Sequence, residues 1–378
     1  MKERQARRGR RAEQAAGERT RTVTLKDVAE HLSLSPATVS LVLNRAPGAS
    51  SIPPETQERV FAAARDLDYR PNYMARSLRS RRSFSVGVLV PEISEPYAAE
   101  VMSGIEGHLL QEGYHYLVAS HRRSNVDLLH EYVSLLRDRA VEGLILVASQ
   151  IAEQPVLPTV VVSGHVPLPG VTNVVIDHDR AARDTFSHLV GLGHERVALF
   201  KGQPGSADTE DRWRAIVEAA ASRGLPIRPE LTVQLSGDGQ SESFSPADGY
   251  QEGYTFARQL LARQVAFTAL FAFDDVSAIG AMRAFLDAGL RVPEDVSVVG
   301  FDDIQSAAYQ NPTLTTVRQP LRRMGELAAQ ILLRRVANDE SVIDGFVTVE
   351  PELIIRGSTG PVPARAWKEG ERWVQAGT

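Results

Sequence analysis

The stretch Thr24-Leu-Lys-Asp-Val-Ala-Glu-His-Leu-Ser-Leu-Ser-Pro-Ala-Thr-Val-Ser-Leu-Val-Leu-Asn44 predicts two short helices joined by a tight turn. Thr24 and Asp27 have the spacing of a capping box, so the first helix is expected to begin there. Apolar residues then recur at helical spacing and predict one buried face, formed by Leu25, Val28, Ala29 and Leu32. The segment Ser33-Leu34-Ser35 interrupts this spacing and predicts the turn.

The second helix is expected to begin at Ser35, with Pro36 at its first position, where a missing N–H costs nothing. Its predicted buried side comprises Val39, Val42 and Leu43. Its outward residues are small or neutral, namely Ala37, Thr38, Ser40, Leu41 and Asn44. Such a face suits a helix that enters the major groove, although a generic helical hairpin would give the same pattern. A third amphipathic helix, predicted from Pro54 to about Leu67, favours the DNA-binding interpretation.

Four segments together resemble the DNA-binding headpiece and hinge of the lactose-repressor (LacI/GalR) family. They are residues 24–29, 35–40, 42–44 and Tyr69-Arg-Pro-Asn-Tyr-Met-Ala-Arg-Ser-Leu78. The resemblance continues to Gly357, although the loop 45–53 is longer than the family's usual loop. It implies headpiece contacts to DNA from Thr24, Pro36, Ala37, Thr38, Ser40, Leu41 and Asn44, and hinge contacts from Asn72, Ala75, Arg76 and Leu78. Leu78 would wedge open a base step in the minor groove, whereas composition alone favours a plain basic linker.

Charge is unevenly distributed along the 378 residues. Residues 1–84 contain 17 Lys and Arg against 9 Asp and Glu, a net of +8; the remainder contains 25 against 38, a net of −13. A basic head on an acidic body predicts a polyanionic partner for the head alone. The absence of cysteine excludes disulfides, and neither a signal peptide nor a membrane span is evident, so we expect a cytoplasmic protein.

Continuous apolar runs alternate with helical patterns from Phe84 onward, which predicts parallel α/β layers. The predicted strands are 85–90, 116–119, 143–148, 159–163, 173–177, 196–200, 269–273 and 296–300. The resemblance implies a body of two subdomains like those of periplasmic sugar-binding proteins. The expected organisation is a basic disordered tail 1–22, a helix-turn-helix domain 23–70, a hinge helix or linker 71–83, an effector-binding and dimerisation domain 84–357, and a C-terminal tail 358–378.

Ligands of open parallel sheets bind beyond the carboxyl ends of the strands, so residues that follow strands are the candidates. The resemblance implies that Arg212 grips the effector, that Phe244 packs on its ring, and that Asp302 binds it. The full predicted effector-binding set is Tyr97, Asp177, Asp208, Arg212, Phe244, Asp274 and Asp302. Glu95 and Asp274 depart from the family, which more often has asparagine there. For each of these residues the alternative interpretation is a surface charge or a helix cap, and for Asp275 it is a cap of the helix that begins at Val276.

These observations predict a transcription repressor that binds a pseudo-palindromic operator as a homodimer under control of a small molecule, which we expect to be a carbohydrate, either a sugar or a sugar derivative. An activator or a regulator that depends on a co-repressor would have the same sequence features. A plain solute-binding protein would explain the body but not residues 24–82. An enzyme is disfavoured, because no nucleotide loop, nucleophile elbow or metalloprotease motif is present. We therefore expect no catalytic residues, no metal, no cofactor and no membrane partner.

Overall fold

The computed structural model describes residues 23–44, 47–69, 82–120, 126–149, 151, 153–204, 206–235 and 246–362. The chain divides into two compact units, Met1–Ser83 and Phe84–Thr378. The predicted tail 1–22 and most of the predicted hinge 71–83 lie outside the described residues. Among the described helices, none combines the length and the apolar character that a membrane crossing requires.

Three helices make up the described part of the first unit: α1 (Leu25–Leu32), α2 (Pro36–Leu43) and α3 (Pro54–Asp66). The predicted capping box is present, since Thr24 and Asp27 bond reciprocally at the start of α1. Ser33 ends α1 in the left-handed conformation, with φ 53°. A short 3-10 turn, Pro47–Ser51, joins α2 to α3 within the long loop.

The core of this unit is small and aliphatic. Val28, Val39 and Val60, one from each helix, have no exposed surface, and Ala29, Val42 and Ala63 complete the cluster. Burial of a valine side chain contributes roughly 1.5–3 kcal/mol, so these contacts fix the angle between α1 and α2. The predicted buried and outward faces of α2 are therefore confirmed.

Two six-stranded sheets make up the second unit. The first has the order β11-β5-β4-β3-β1-β2 and is wholly parallel; the second has the order β12-β10-β9-β8-β6-β7 and is parallel except for β12. The first contains β1 (Ser85–Val90), β2 (His115–Ser120), β3 (Leu144–Val147), β4 (Thr159–Val162), β5 (Val171–Ile176) and β11 (Gly345–Val349). The second contains β6 (Val197–Lys201), β7 (Thr232–Gln234), β8 (Ala269–Phe271), β9 (Ser297–Asp302), β10 (Thr315–Arg318) and β12 (Glu352–Ile354). The predicted parallel α/β body with two subdomains is confirmed.

Helices flank each sheet. The first sheet is flanked by α4 (Pro96–Gln111), α5 (Val126–Asp138) and α10 (Leu321–Val336). The second is flanked by α6 (His178–Gly191), α7 (Thr209–Ser222), α8 (Pro246–Ala262) and α9 (Asp275–Asp287). The chain passes between the two sheets three times, after β5, after β10 and after β11.

One pair of helices in each half packs closely through glycines. A Cβ on Gly104 of α4 would collide with the Arg322 carbonyl oxygen of α10, and a Cβ on Gly325 would collide with the Val101 carbonyl oxygen. The pair α8 and α9 repeats this arrangement with Gly253 and Gly280. Only a residue without a side chain permits backbones to approach this closely.

The predicted C-terminal tail begins too early. Ser358 is fully buried, its hydroxyl donates to the Val298 carbonyl oxygen at 2.6 Å, and it accepts from the Thr315 amide at 2.8 Å. The Val362 amide donates to the Leu192 carbonyl oxygen at 2.9 Å. Residues 358–362 are thus held against the second subdomain by backbone and hydroxyl bonds, which hydrophobic spacing does not reveal.

Candidate functional site

The outward face of α2 is the candidate DNA-contacting surface of the first unit. Ser35 caps this helix by accepting from the Thr38 amide at 3.0 Å, and Pro36 occupies its first turn. Pro36, Ala37 and Leu41 are exposed, and Thr38 and Ser40 are half-buried. The helix carries no charged side chain, so nothing on it repels a phosphate backbone.

Two other predicted DNA contacts are already engaged within the chain. The Thr24 hydroxyl donates to Asp27 Oδ2 at 2.7 Å, and Asn44 Nδ2 donates to the Ser40 carbonyl oxygen at 2.8 Å. Each side chain keeps further hydrogen-bonding capacity, since the Asn44 amide oxygen and the Thr24 hydroxyl oxygen can accept. The predicted hinge contacts Asn72, Ala75, Arg76 and Leu78, and the predicted effector contact Phe244, lie outside the described residues.

A cavity of about 720 Å³, part of it open to solvent, lies where strands of both sheets end. Five of the seven predicted effector-binding residues line it: Tyr97, Asp208, Arg212, Asp274 and Asp302. Tyr97 follows β1 of the first sheet, and the other four follow or end strands of the second. The Tyr97 hydroxyl is hydrogen-bonded to the Ser163 hydroxyl at 2.7 Å, which orients its ring at the wall of the cavity.

Arg212 is the central cation of the cavity and is only 3% exposed. Its guanidinium carbon lies 3.7 Å from the ring centroid of Phe301 and 4.3 Å from that of Phe273, so two aromatic rings hold it. Nη1 donates to the Phe273 carbonyl oxygen at 2.6 Å, and Nη2 lies 3.4 Å from Asp208 Oδ2. Nε has no partner among the described residues, so it remains as a donor for an acceptor on a ligand.

Asp208 joins the two halves of the body. Its Oδ1 lies 2.6 Å from His165 Nε2 and 3.2 Å from His178 Nε2. Burial tends to raise the pKa of Asp208, but hydrogen bonds from both histidines and the charge of Arg212 together hold that pKa well below its usual range. Burial tends to lower the pKa of His165, yet its bond to Asp208 raises that pKa overall, whereas burial lowers the pKa of His178.

Asp302 is buried at the end of β9 and accepts from Gln319 Nε2 at 2.7 Å. Burial raises the pKa of Asp302 to about 8; the charge of Arg212 opposes this shift, and the charges of Asp274 and Asp208 add to it. At neutral pH the protonated form of Asp302 is therefore favoured.

The cap of α9 is Asp274, so the alternative interpretation of Asp275 as the cap is wrong. Asp274 Oδ1 accepts from the Ser277 amide at 2.7 Å. Asp275 is fully buried, where it accepts from the Thr316 hydroxyl at 2.5 Å and from the Ile304 amide at 2.9 Å. Asp275 thus ties α9 to the second sheet, and Asp274 both caps the helix and lines the cavity.

Asp177 does not line the cavity. Its carboxylate accepts from the Arg180 amide at 2.8 Å and caps α6. The next residue, His178, contacts Asp208 instead, because the helix start turns the adjacent side chain inward.

Four residues of the cavity region were missed by sequence reasoning: His165, His178, Phe273 and Phe301. His165 follows β4, His178 follows β5, Phe273 follows β8, and Phe301 lies in β9. His165, His178 and Phe273 lie beyond the carboxyl ends of strands, which is where ligand-binding residues are expected. Their partners come from distant parts of the chain, so only the fold brings them together.

The histidine and carboxylate atoms of His165, His178 and Asp208 lie within 4.8 Å of one another, a spacing that a metal ion could bridge. Local spacing in the sequence does not reveal this cluster, since the three residues are far apart. Arg212 engages the second oxygen of Asp208, so a cation already neutralises this carboxylate. The arrangement otherwise offers what a polyhydroxylated ligand needs, namely carboxylate acceptors, a fixed guanidinium and flat aromatic walls.

Comparison with known proteins gives matches over both units. Residues 24–72 match the family model of bacterial regulatory proteins of the lacI family, and residues 186–359 match the periplasmic binding protein-like domain. The HTH-type transcriptional repressor PurR of Aliivibrio fischeri (strain MJ11) is 32% identical over 345 residues, which are 89% of this chain and 98% of that protein.

Two solved structures are similar at 27% identity. The Lac repressor dimer bound to operator and the anti-inducer ONPF aligns with a TM-score of 0.77 over 90% of this chain and 100% of that chain. The transcriptional regulator CelR in complex with cellobiose aligns with a TM-score of 0.64 over 89% of this chain and 99% of that chain.

Proposed function

Since the chain belongs to the LacI family of bacterial regulatory proteins, and is thus a sequence-specific transcription repressor under small-molecule control, we propose which of its residues perform the two tasks. The outward face of α2 contacts operator bases, with Thr24 and Asn44 beside it. The cavity around Arg212 binds the effector. The protein acts in the cytoplasm as a homodimer on a pseudo-palindromic operator, and it has no catalytic role.

The cavity carries this proposal. It brings Tyr97, Asp208, Arg212, Asp274 and Asp302 together from both halves of the body. The unpartnered Nε of Arg212 offers a donor in a fixed position, and the carboxylates that line the cavity offer acceptors. A sugar or sugar derivative satisfies both kinds of group through its hydroxyls. Cellobiose in the CelR complex is a ligand of this kind.

Coupling between effector binding and operator binding follows from the position of the ligand. The ligand lies between two halves of the body that are joined by three chain crossings. An effector that contacts both halves binds one degree of closure more tightly than another, and it therefore shifts the equilibrium between them. Residues 23–70 form the headpiece and residues 71–83 the hinge in this proposal. Paired Leu78 side chains of the dimer wedge the central base step, and closure of the bodies changes the spacing of the hinges.

Arg212→Ala should abolish the effector response and leave operator binding largely intact. Loss of a charge-assisted contact should weaken effector binding by on the order of 2–4 kcal/mol. Calorimetry with a responsive sugar and gel shift on the protein's own promoter DNA measure the two properties. The matched control is Arg214→Ala, because Arg214 lies on the same helix but is exposed and pairs with Asp179.

Arg212 is buried, so thermal melting of each variant must accompany these measurements. Arg212→Lys keeps the charge but cannot fill the space between two rings, and it should also lose most of the response. Unchanged effector affinity in a folded Arg212→Ala protein would remove the cavity from consideration as the effector site.

A further inference from the structure

The effector cavity contains more negative charge than its own cation neutralises. Five carboxylates line it, those of Glu95, Asp208, Glu252, Asp274 and Asp302. Among the described residues they share it with one guanidinium, that of Arg212. Arg212 is already engaged by Asp208 and by the Phe273 carbonyl oxygen, and Asp208 also bonds His165 and His178. Arg212 thus balances the negative charge of Asp208, whereas no described cation forms an ion pair with Asp274 or Asp302.

Neither of these two carboxylates forms an ion pair with a described residue. One oxygen of Asp274 caps α9 through the Ser277 amide, and one oxygen of Asp302 accepts from Gln319 Nε2. The second oxygen of each has no hydrogen-bond partner in the described part of the chain. The negative charge of Asp274 also contributes to the raised pKa of Asp302, which is the expected effect of two carboxylates that lie close together.

Two further polar atoms at this cavity lack partners and specify the rest of the ligand. Arg212 Nε is a buried donor and needs an acceptor such as a hydroxyl or ring oxygen. Gln203 Oε1 is a buried acceptor and needs a donor. A fitting ligand therefore carries oxygen atoms that accept hydrogen bonds and several groups that donate them. One donor group should be positively charged, because Asp274 and Asp302 form no ion pair with a described residue.

We propose that the effector is an amino sugar, with a protonated amine held by Asp274 and Asp302 and an oxygen held by Arg212. This inference rests on the proposed function of the cavity and narrows its ligand class. A primary ammonium supplies three hydrogen-bond donors and one positive charge. That charge would balance Asp274 and Asp302, which form no ion pair with a described residue. A phosphorylated or acidic sugar would place a second anion beside them, and the low dielectric of the cavity makes that repulsion costly.

Calorimetry on the full chain near neutral pH tests the proposal with matched sugars. The probes are glucosamine, galactosamine and mannosamine, each with its parent hexose, its N-acetyl form and its 6-phosphate. At least one hexosamine should bind, about tenfold or more tighter than its parent and its N-acetyl form, as expected for a charge-assisted bond in a buried site. Its 6-phosphate should not bind.

The Asp274→Asn variant locates the amine. Asparagine still caps a helix, so α9 should remain folded. The variant should lose about tenfold in affinity for the hexosamine and much less for the parent hexose, because the asparagine oxygen still accepts from a hydroxyl. Asp177→Asn is the matched control, because Asp177 caps α6 in the same way but does not line the cavity. It should leave the preference for the amine unchanged.

Two outcomes overturn the inference. One is failure of all three hexosamines to bind; the other is equal or tighter binding of a neutral or phosphorylated counterpart. If such a counterpart binds and Arg212→Ala removes that binding, the cavity remains the effector site and only the ligand class is wrong. Hexosamine binding that survives Arg212→Ala unchanged would contradict both the ligand class and the proposed function of the cavity.

Discussion

Asp302 combines two unfavourable features at one position. It is only 7% exposed, and its φ of 113° lies in a region that side chains rarely adopt. A strained backbone of this kind costs on the order of 1–3 kcal/mol. Strain and a buried carboxyl at a cavity wall are typical of a residue retained for ligand binding rather than for stability.

The raised pKa of Asp302 predicts a stability that falls with pH. Burial raises its pKa in the folded chain to about 8, well above the 3.8 of an ordinary aspartate. The folded chain therefore holds a proton that the unfolded chain releases, and the free energy of unfolding should fall as pH rises from about 4 to about 8. Asp302→Asn keeps the oxygen that accepts from Gln319 and removes the titration. The free energy of unfolding of this variant minus that of the original chain should therefore increase as pH rises across this range, by up to several kcal/mol.

Urea unfolding of both proteins at about pH 5, 7 and 9 measures this difference. Burial and the charge of Asp302 both raise the pKa of Asp275, so the comparison measures the titration of Asp302 together with its effect on Asp275. Parallel pH profiles for the two proteins would show that Asp302 is ionised in the folded cavity at neutral pH.

Some residues of the site can be predicted from a local sequence pattern, and others cannot. Arg212 and Asp302 stand within motifs that resemble a known family, so sequence alone places them at the cavity. No local pattern identifies His165 and Phe301 as site residues, because their partners Asp208 and Arg212 belong to other elements. Their roles depend on where several strands end in space, which one-dimensional spacing does not contain.

Among the elements, the helix α4 contains a matched pair of glycines that tests the close packing of helices. A Cβ on Gly104 would collide with the Arg322 carbonyl oxygen, whereas a Cβ on Gly107 meets nothing within 4 Å. Gly104→Ala should destabilise the protein by about 1–3 kcal/mol through overpacking. Gly107→Ala should stabilise it by about 0.5–1 kcal/mol, because alanine loses less conformational entropy in a helix.

Thermal or urea unfolding of the two variants distinguishes these effects. Both changes add one methyl group to the same helix, so helix propensity alone predicts the same sign for each. A stabilising effect of Gly104→Ala would mean that α4 and α10 can separate at low cost.

Eight of the twelve strands in the described residues were predicted from continuous apolar runs, and four were not. Three of the missed strands, β7, β11 and β12, lie at sheet edges. The fourth, β10, has the sequence Thr-Thr-Val-Arg and pairs with an edge strand. Edge strands are exposed on one side and need no long apolar run, so their sequences resemble loops.

At the scale of the whole molecule, the division of charge predicts separable functions. A chain that begins at Phe84 should bind effector with unchanged affinity and lose operator binding, because the basic +8 segment is removed from the −13 body. Gel shift and calorimetry measure the two properties. Operator affinity of the full chain should also fall steeply as salt increases, since phosphate contacts release counterions. Specific operator binding by the shortened chain would place the DNA contacts elsewhere.

The three passages of the chain between the sheets have a consequence for synthesis on the ribosome. The first subdomain begins with β1, yet its core requires α10 and its sheet ends with β11, which emerge only near the C-terminus. Most of the second subdomain is translated in between. The buried core clusters of the second subdomain lie within one stretch, Ile176 to Val317, but those of the first do not. The nascent first subdomain therefore exposes its apolar strands until α10 has been translated. The basic headpiece, which is contiguous and emerges first, is free of this delay.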